Sequence, residues 1–576
     1  MKQVNQLKNA FKSVKNLLVA VTLFSIFANL LMLTGPLFML QVYDRVLASG
    51  SVETLTALFI LITGLFLIYG ILDFIRGRVM ARTGAKIQTI ISDRIDDIAF
   101  SQLRKSEKIS PEQGPNELSS LRKAVSSPAP FVFMDLPWVP IFLAAMFVFH
   151  PMLGFFGLIG GCVMILVTVT NHFSSKSNVE DAHAHEQRAE LLSQQAISNS
   201  DIIQALGMRE AIISRIQEAR IFATQRVLKA NDQNAAYSSG SKSLRFYLQS
   251  AILAVGAYLA INGNVTPGAM IAASILMGRA LAPIEQGIAQ WPTIIRGYSA
   301  YSNLDELLTS YPEEKERTML PKPAAKLQVK NLTITVPNSE KMMLVSVNFA
   351  IEPGEVLGVL GKSASGKTTL TKALTNIYPP AAGAIKLGGA DLFQWPSNSL
   401  GQYIGYLPQD ISLLSGTVAD NIARMASNVH SGNIISAAKS AGAHEMILSL
   451  PDGYETQIGD GGASLSGGQR QRIGLARALF GDPVMVVLDE PNSHLDTDGE
   501  AALVSTIKEL KDQKKCVIIA AHRPNIVSEC DKILILENGR VKAFGPREEF
   551  FADLASAKTF QPNKKESIKK LARLKA

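Results

Sequence analysis

The sequence predicts an α-helical, polytopic membrane domain of six spans fused to an α/β domain, and three observations predict it. Long apolar runs recur through the first half of the chain, a proline-rich break follows at about 310–326, and short β-branched runs alternate with helical stretches beyond that break. Each run in the first half is about as long as the ~20 helical residues needed to cross ~30 Å of hydrocarbon. The chain has 576 residues, 47% of them hydrophobic and only 18% charged, with a mean hydropathy of +0.16. That balance excludes an intrinsically disordered scaffold, which combines low hydrophobicity with high net charge. The 42 glycines show no triplet period, which excludes a collagen-like fibre. Cys162, Cys516 and Cys530 are too few for a disulfide framework and lack metal-ligand spacing.

The first run, Leu17 to Leu40, carries no charge. Similar runs follow at about 54–72, 131–150, 152–171, 247–262 and 266–284, giving six predicted spans. The third carries Asp135 and the sixth Arg279. An ionisable group at membrane depth is costly and marks either a lined cavity or a structural pair, so both residues are candidates for the translocation path.

The net charge of +8 suits either a nucleic-acid surface or anionic lipid headgroups. Its distribution decides for the membrane. Residues 1–16 hold four lysines, 74–130 ten lysines or arginines and 172–246 nine, whereas the alternate connectors 41–53 and 262–267 hold only Arg45. By the positive-inside rule the amino terminus and the long loops are cytoplasmic. Segments 85–105 and 180–230 have helical periodicity and almost no Gly or Pro, so the spans are expected to continue into the cytoplasm as helical extensions. Pro115 to Ser127 and Ser198 to Arg209 are where these extensions are expected to turn back and meet the following domain.

The expected boundaries are 1–309 for the membrane domain, 310–326 for the linker, 327–555 for the α/β domain and 556–576 for a basic tail. Strands are expected at Val356–Leu360, Val484–Leu488, Val517–Ala521 and Ile533–Leu536, in a largely parallel sheet.

The chemistry sits in the α/β domain. After the run EVLGVLG comes Gly361-Lys362-Ser363-Ala364-Ser365-Gly366-Lys367-Thr368, followed by Thr369. This is G-x-x-x-x-G-K-[ST] between a predicted strand and helix. The glycines let backbone amides wrap phosphates, Lys367 reaches the β- and γ-phosphates, and Thr368 places a hydroxyl on Mg²⁺. Downstream, a buried-strand pattern ends in Asp489 and Glu490. One carboxylate suits a metal, and Glu490 suits the general base or water-orienting group of phosphoryl transfer.

Between these motifs lies Leu465-Ser466-Gly467-Gly468-Gln469, and Gln409 in YLPQD, His494-Leu495-Asp496 and His522 in AAHR complete the set. The set resembles the nucleotide-binding domain of ATP-binding cassette (ABC) proteins. The resemblance implies a magnesium-dependent ATPase coupled to transport. Glu490, His522 and Gln409 would be catalytic, with Thr368, Gln409 and Asp489 around Mg²⁺. Ser466, Gly467, Gly468, Gln469 and Asp496 would meet ATP held by the opposite subunit. At the position where the family stacks an aromatic residue on adenine this chain has Val336, so either base selectivity would be loose or Tyr378 or another ring would substitute. Asp460 stands where exporters commonly have Glu.

In the membrane half, GPLFMLQVYDRVLASGSVETL (35–55), MDLPWVPIFLAAMFVFHPMLG (134–154) and GRALAPIEQGIAQW (278–291) resemble the permease-ATPases of bacterial type I protein secretion systems, particularly the protease- and lipase-exporting branch. The resemblance implies a half-transporter that works as a homodimer in the inner membrane. Its partners would be a periplasmic adaptor (a membrane fusion protein) and an outer-membrane channel, and its cargo an unfolded polypeptide with a carboxy-terminal signal. Only some 16 residues precede the first span, so the amino-terminal peptidase-like domain of bacteriocin and haemolysin exporters is expected to be absent. A lipid or small-molecule flippase is the alternative. A nucleic-acid-associated cassette ATPase is disfavoured by the six spans and by the 122 residues from Lys367 to Asp489, a separation that runs to hundreds in coiled-coil DNA-repair cassettes.

Overall fold

The computed structural model describes residues 6–105, 113–311, 320–335, 341–459, 465–521 and 524–550. The chain divides into two compact units, residues 1–100 with 110–312 and residues 101–109 with 313–576.

The first unit is helical. Among the described residues, six helices are long and apolar enough to cross a membrane: Lys15–Ser49, Val52–Phe100, Ala129–Phe149, Pro151–Ser198, Arg209–Ile261 and Pro267–Ala289. Three of these belong to helices that far outrun a bilayer. Val52–Lys105 has 54 residues, Pro151–Ser198 has 48 and Arg209–Ile261 has 53. At ~1.5 Å per residue such helices are roughly 70–80 Å long, so the apolar stretch and the charged extension form one rigid rod. Burial sorts the spans by position. The apolar window of the second span has none of its residues buried, whereas that of Pro267–Ala289 is 61% buried. Small residues explain the second value: Gly268, Ala269, Ala272, Ala273 and Ala280 let neighbouring helices approach closely. Phe142, Met146, Met164, Ile252 and Met277 fill the core around it.

Ser198 to Arg209 does turn the chain back, through a short helix Ser200–Ala205 and Gly207 at φ 64°. Pro115 to Ser127 does not. Those residues belong to a continuous helix, Gln113–Ser126, packed along Trp291–Ser310 of the same unit. Leu118 and Leu121, one turn apart, are buried, and Asn303 donates to Glu117 at 2.9 Å. A Cβ at Gly297 would come within 2.6 Å of the Ala124 Cβ, so the close approach requires glycine there. Pro115 sits in the first turn of this helix, where it does not break it, and the buried leucines hold the segment against Trp291–Ser310.

The described residues of the second unit form twelve strands: β1 Leu327–Thr335, β2 Met342–Ile351, β3 Val356–Leu360, β4 Ala382–Leu387, β5 Ala390–Asp391, β6 Ile404–Leu407, β7 Gly416–Thr417, β8 Gln457–Ile458, β9 Met485–Asp489, β10 Cys516–Ala520, β11 Lys532–Glu537 and β12 Arg540–Pro546. The central sheet has the order β12-β11-β3-β10-β9-β6 and is parallel except for the edge strand β12. β9 and β10 are buried at every position, which is why they read as unbroken apolar runs. A separate antiparallel sheet, β2-β1-β4-β5, packs its alternate residues Leu327, Val329, Leu344, Val347 and Phe349 into the core beneath β3. A largely parallel sheet was expected, and this second sheet is an addition to it.

Candidate nucleotide site

Parallel sheets place ligands beyond the carboxyl ends of their strands, and here three strands deliver described candidate residues to that edge. The loop Gly361–Gly366 follows β3, Gln409 follows β6, and Asp489 and Glu490 end β9. β10 lies between β3 and β9, with Ala520 paired to both Val359 and Asp489. His522, two residues past β10, lies outside the described residues, as do Val336, Asp460 and the basic tail.

The loop is built for close backbone approach. Ala364 has φ 64° and Gly366 φ 104°, and a Cβ on Gly366 would lie 2.7 Å from Leu344. Lys362, Ser363 and Ala364 are exposed, whereas Ser365, Lys367 and Thr369 are buried. Helix Lys367–Leu374 begins directly after the loop, so its free amides and positive dipole end face the same space. The Lys367 Nζ donates to the carbonyls of Gly361 at 2.9 Å and Lys362 at 3.1 Å. Burial pushes this ammonium's pKa down, while the Glu490 and Asp489 charges pull it back up.

Across the loop, Asp489 accepts from Thr371 Oγ1 at 3.0 Å and from Thr368. Burial nevertheless holds its carboxyl above the ordinary aspartate range, and the Glu490 charge adds to the rise. Its Oδ1, like Ser365 Oγ, is buried without a hydrogen-bond partner. Two orphaned oxygens, one anionic, beside the Thr368 hydroxyl are the hard oxygen donors that a magnesium ion and a phosphate-bearing ligand require. Beside them, Glu490 sits at φ 50°, left-handed for a residue with a Cβ, and its amide is fixed to the Ala520 carbonyl at 2.9 Å. Such strain persists only where surrounding structure enforces it. Gln409 Nε2 donates to Glu490 Oε2 at 3.1 Å, joining the β6 and β9 residues.

The unusual Asp489 environment predicts a measurable pH effect. A carboxyl with a raised folded-state pKa penalises folding above that pKa, and the penalty disappears as pH falls through it. Without nucleotide, Asp489→Asn is therefore expected to melt above the parent chain at pH 7.5. Differential scanning of the full chain in detergent should show that gap narrowing towards pH 4.5 and reversing when Mg²⁺ and ATP are added.

Ser466, Gly467, Gly468 and Gln469 open helix Gly467–Leu479. Ser466 and Gln469 form a reciprocal capping box, with Ser466 Oγ accepting the Gln469 amide and Gln469 Oε1 accepting the Ser466 amide. Gly467 lies against the His494 ring. Asp496 is engaged within its own chain: it caps helix Thr497–Asp512 through the Gly499 amide at 2.8 Å and pairs with Arg472 at 2.7 Å. Those interactions, the backbone one first, hold its carboxyl below the usual range. Tyr378 lies beneath the Lys372 ammonium and against the core.

Sequence reasoning missed three residues. Thr371, the buried donor to Asp489, lies one helical turn after Lys367, and that four-residue spacing was the available signal. Tyr406 on β6 has its hydroxyl pushed up to about 12 by burial and by the nearby Asp489 charge. Gln471 donates to the Pro491 carbonyl and accepts the His494 amide at 2.9 Å, tying the Gly467–Leu479 helix to the loop after Glu490.

In the membrane unit, Asp135 is buried against Arg76 Nη2 at 3.2 Å and Asn29 Nδ2 at 2.7 Å. Arg76 also lies over the Phe131 ring. Arg279 is half-buried on Pro267–Ala289, with its charge near the Tyr69 hydroxyl.

A phosphate loop, a strand-end carboxylate pair and a capped Ser-Gly-Gly-Gln helix, fused to six candidate spans, define a membrane-bound ATP-binding cassette. Residues 344–493 match the family described as ABC transporter, and 115–282 the ABC transporter transmembrane region. The chain is 38% identical over 541 residues to the type I secretion system ATP-binding protein PrsD of Rhizobium meliloti, covering 94% of this chain and 93% of that protein. It is 27% identical over 553 residues to the toxin RTX-I translocation ATP-binding protein of Actinobacillus pleuropneumoniae, covering 94% and 77%. A bacterial Atm1-family ABC exporter solved with ATP bound shares the fold, with a TM-score of 0.82 at 19% identity over 96% of this chain and 99% of that one. The chain belongs to the ABC transporter family, among the ATP-binding proteins of type I secretion systems. It is an ATP-driven, multi-pass membrane transport protein.

Proposed function

We propose that two copies of this chain form a homodimer in the bacterial inner membrane and spend ATP to export an unfolded polypeptide with a carboxy-terminal signal. The cargo would be protease- or lipase-like, and it would leave through a periplasmic adaptor and an outer-membrane channel. The amino terminus and the cassette would face the cytoplasm. The observation that carries this reading is the 38% identity to a type I secretion protein across both units rather than across the cassette alone. Residues 1–309 would form the membrane domain, 310–326 the linker, 327–555 the cassette and 556–576 the basic tail. The turn at Ser198 to Arg209 carries exposed Ile202, Leu206 and Met208.

In this reading Gly361 to Thr369 hold the ATP phosphates through loop amides and Lys367. Thr368, Gln409 and Asp489 would hold Mg²⁺, which when bound would supply charge neutralisation to the phosphoryl group. Glu490 takes the proton of the attacking water, Gln409 fixes the Glu490 carboxylate, and His522 would hold the γ-phosphate and orient Glu490. Ser466, Gly467, Gly468, Gln469 and Asp496 face the nucleotide of the second copy. Reconstituted into proteoliposomes, the protein should hydrolyse ATP faster on addition of a cargo's carboxy-terminal segment. Stimulation by lipids or small amphiphiles, with none by the polypeptide, would replace this reading by a flippase.

Lys367→Ala tests the phosphate role separately. A charge-assisted hydrogen bond contributes about 1.5–3 kcal/mol, so ATP affinity should fall by about 10- to 100-fold in a fluorescent-nucleotide titration. Unchanged affinity would contradict the assignment.

A further inference from the structure

The amino-terminal helix Gln6–Ser13 carries a feature that the transport cycle does not use. Leu7, Ala10 and Val14 are fully buried, and the Phe11 ring meets Tyr301 of helix Trp291–Ser310 edge-on at 5.9 Å. With that face docked, Lys8, Lys12 and Lys15 are left exposed. Their spacing of four and three residues puts them on one face of a helical path. Together with Phe11, Leu18 and Tyr301 they line an open groove of about 500 Å³. Lys15 is also the first residue of the first candidate span, so the groove lies where that span leaves the hydrocarbon.

We propose that this groove binds the headgroup of an acidic phospholipid. The lysines would meet the phosphodiester and its neighbouring charge, and Phe11, Leu18 and the Tyr301 ring would receive the glycerol and the upper acyl chain. The Lys12 and Lys15 ammonium groups beside an apolar wall complement an amphiphilic anion, whereas a soluble anion gains nothing from that wall. Location adds to the charge argument: basic residues next to a span attract anionic lipid by about five-fold per lysine. Burial and the nearby Asp305 charge raise the Tyr301 hydroxyl's pKa, so it stays protonated as a donor. The lipid would fasten the amino-terminal helix to Trp291–Ser310, the last helix of the first unit.

Native mass spectrometry of the full-length protein in detergent, titrated with phosphatidylglycerol or phosphatidylcholine, tests the proposal. The parent chain should retain phosphatidylglycerol preferentially. The combined Lys8→Gln, Lys12→Gln, Lys15→Gln variant should lose at least ten-fold of that preference, and the corresponding three Lys→Arg changes should keep it, which separates lost binding from lost folding. A charge-matched control, Arg78→Gln, Arg82→Gln, Lys86→Gln, removes the same charge from exposed positions of Val52–Lys105 and should bind as the parent does. Equal losses in the control and the groove variant would overturn the site, as would undiminished preference in the groove variant. Displacement of the lipid by millimolar glycerol phosphate would overturn the lipid assignment in favour of a soluble phosphate ester.

Discussion

Glu490→Gln is expected to lower steady-state ATP turnover by about 10²- to 10⁴-fold, the range supplied by a positioned general base, while leaving ATP affinity within a few-fold of the parent. The reasoning is geometric. Glu490 is held at φ 50° at the end of β9, with its amide bonded to Ala520 and its carboxylate to Gln409. Glutamine has the same length and can occupy the same strained position, but its amide cannot accept a proton from water. Binding should survive because the phosphate contacts belong to a different element, the Gly361–Gly366 loop and helix Lys367–Leu374. With hydrolysis blocked and binding intact, the nucleotide-loaded state accumulates, so gel filtration with ATP and Mg²⁺ should show a stable dimer of the cassette-bearing chain. Normal turnover would remove Glu490 from the role of base. Loss of turnover accompanied by loss of ATP binding would point instead to collapse of the strained β9 end.

Local order explains what the sequence disclosed. The Gly361–Gly366 loop was legible because its residues are consecutive and its backbone positions, such as Gly366 at φ 104°, restrict which side chains fit. The six spans were legible because lipid demands unbroken apolar length, and their long extensions because helical periodicity continues through the charged segments. The remainder depends on contacts distant in sequence. Thr371 reaches Asp489 from 118 positions away, and Tyr406 acquires its environment only when β6 pairs with β9. The antiparallel sheet was hidden because its strands are broken by irregularities at Val329–Leu332 and Lys330–Thr333, which blur the two-residue alternation of β1. Helix Gln113–Ser126 was mistaken for a turn because its few buried leucines gain meaning only against Trp291–Ser310. Capping, by contrast, was present in plain view. Ser466 and Gln469 satisfy the S-x-x-Q pattern, and they form the reciprocal cap that the pattern specifies.

Arg76→Ala is expected to be the most damaging single change in the membrane unit, and it separates two meanings of Asp135. The carboxylate draws on three segments, with Asn29 from the first span, Arg76 from the second and Asp135 itself from the third. Arg76 is 2% exposed and comes four positions after the apolar run that ends near 72, so both charges lie close to one edge of the hydrocarbon, where their desolvation is still substantial. Removing one member of a buried pair typically costs about 3–5 kcal/mol, because the other charge is left without compensation, whereas replacing both by apolar residues of similar volume is often neutral. Arg76→Ala and Asp135→Leu should each lower the midpoint of thermal unfolding in detergent markedly. Arg76→Met combined with Asp135→Leu should recover most of the loss, leaving the double variant far more stable than the sum of the separate Arg76→Met and Asp135→Leu losses would make it. Export then decides function. A double variant that folds, hydrolyses ATP and still exports cargo assigns Asp135 to holding three spans together. A double variant that folds and hydrolyses ATP but exports nothing assigns the carboxylate to the polypeptide path, because stability has been restored and only the charge presented to the conduit has changed.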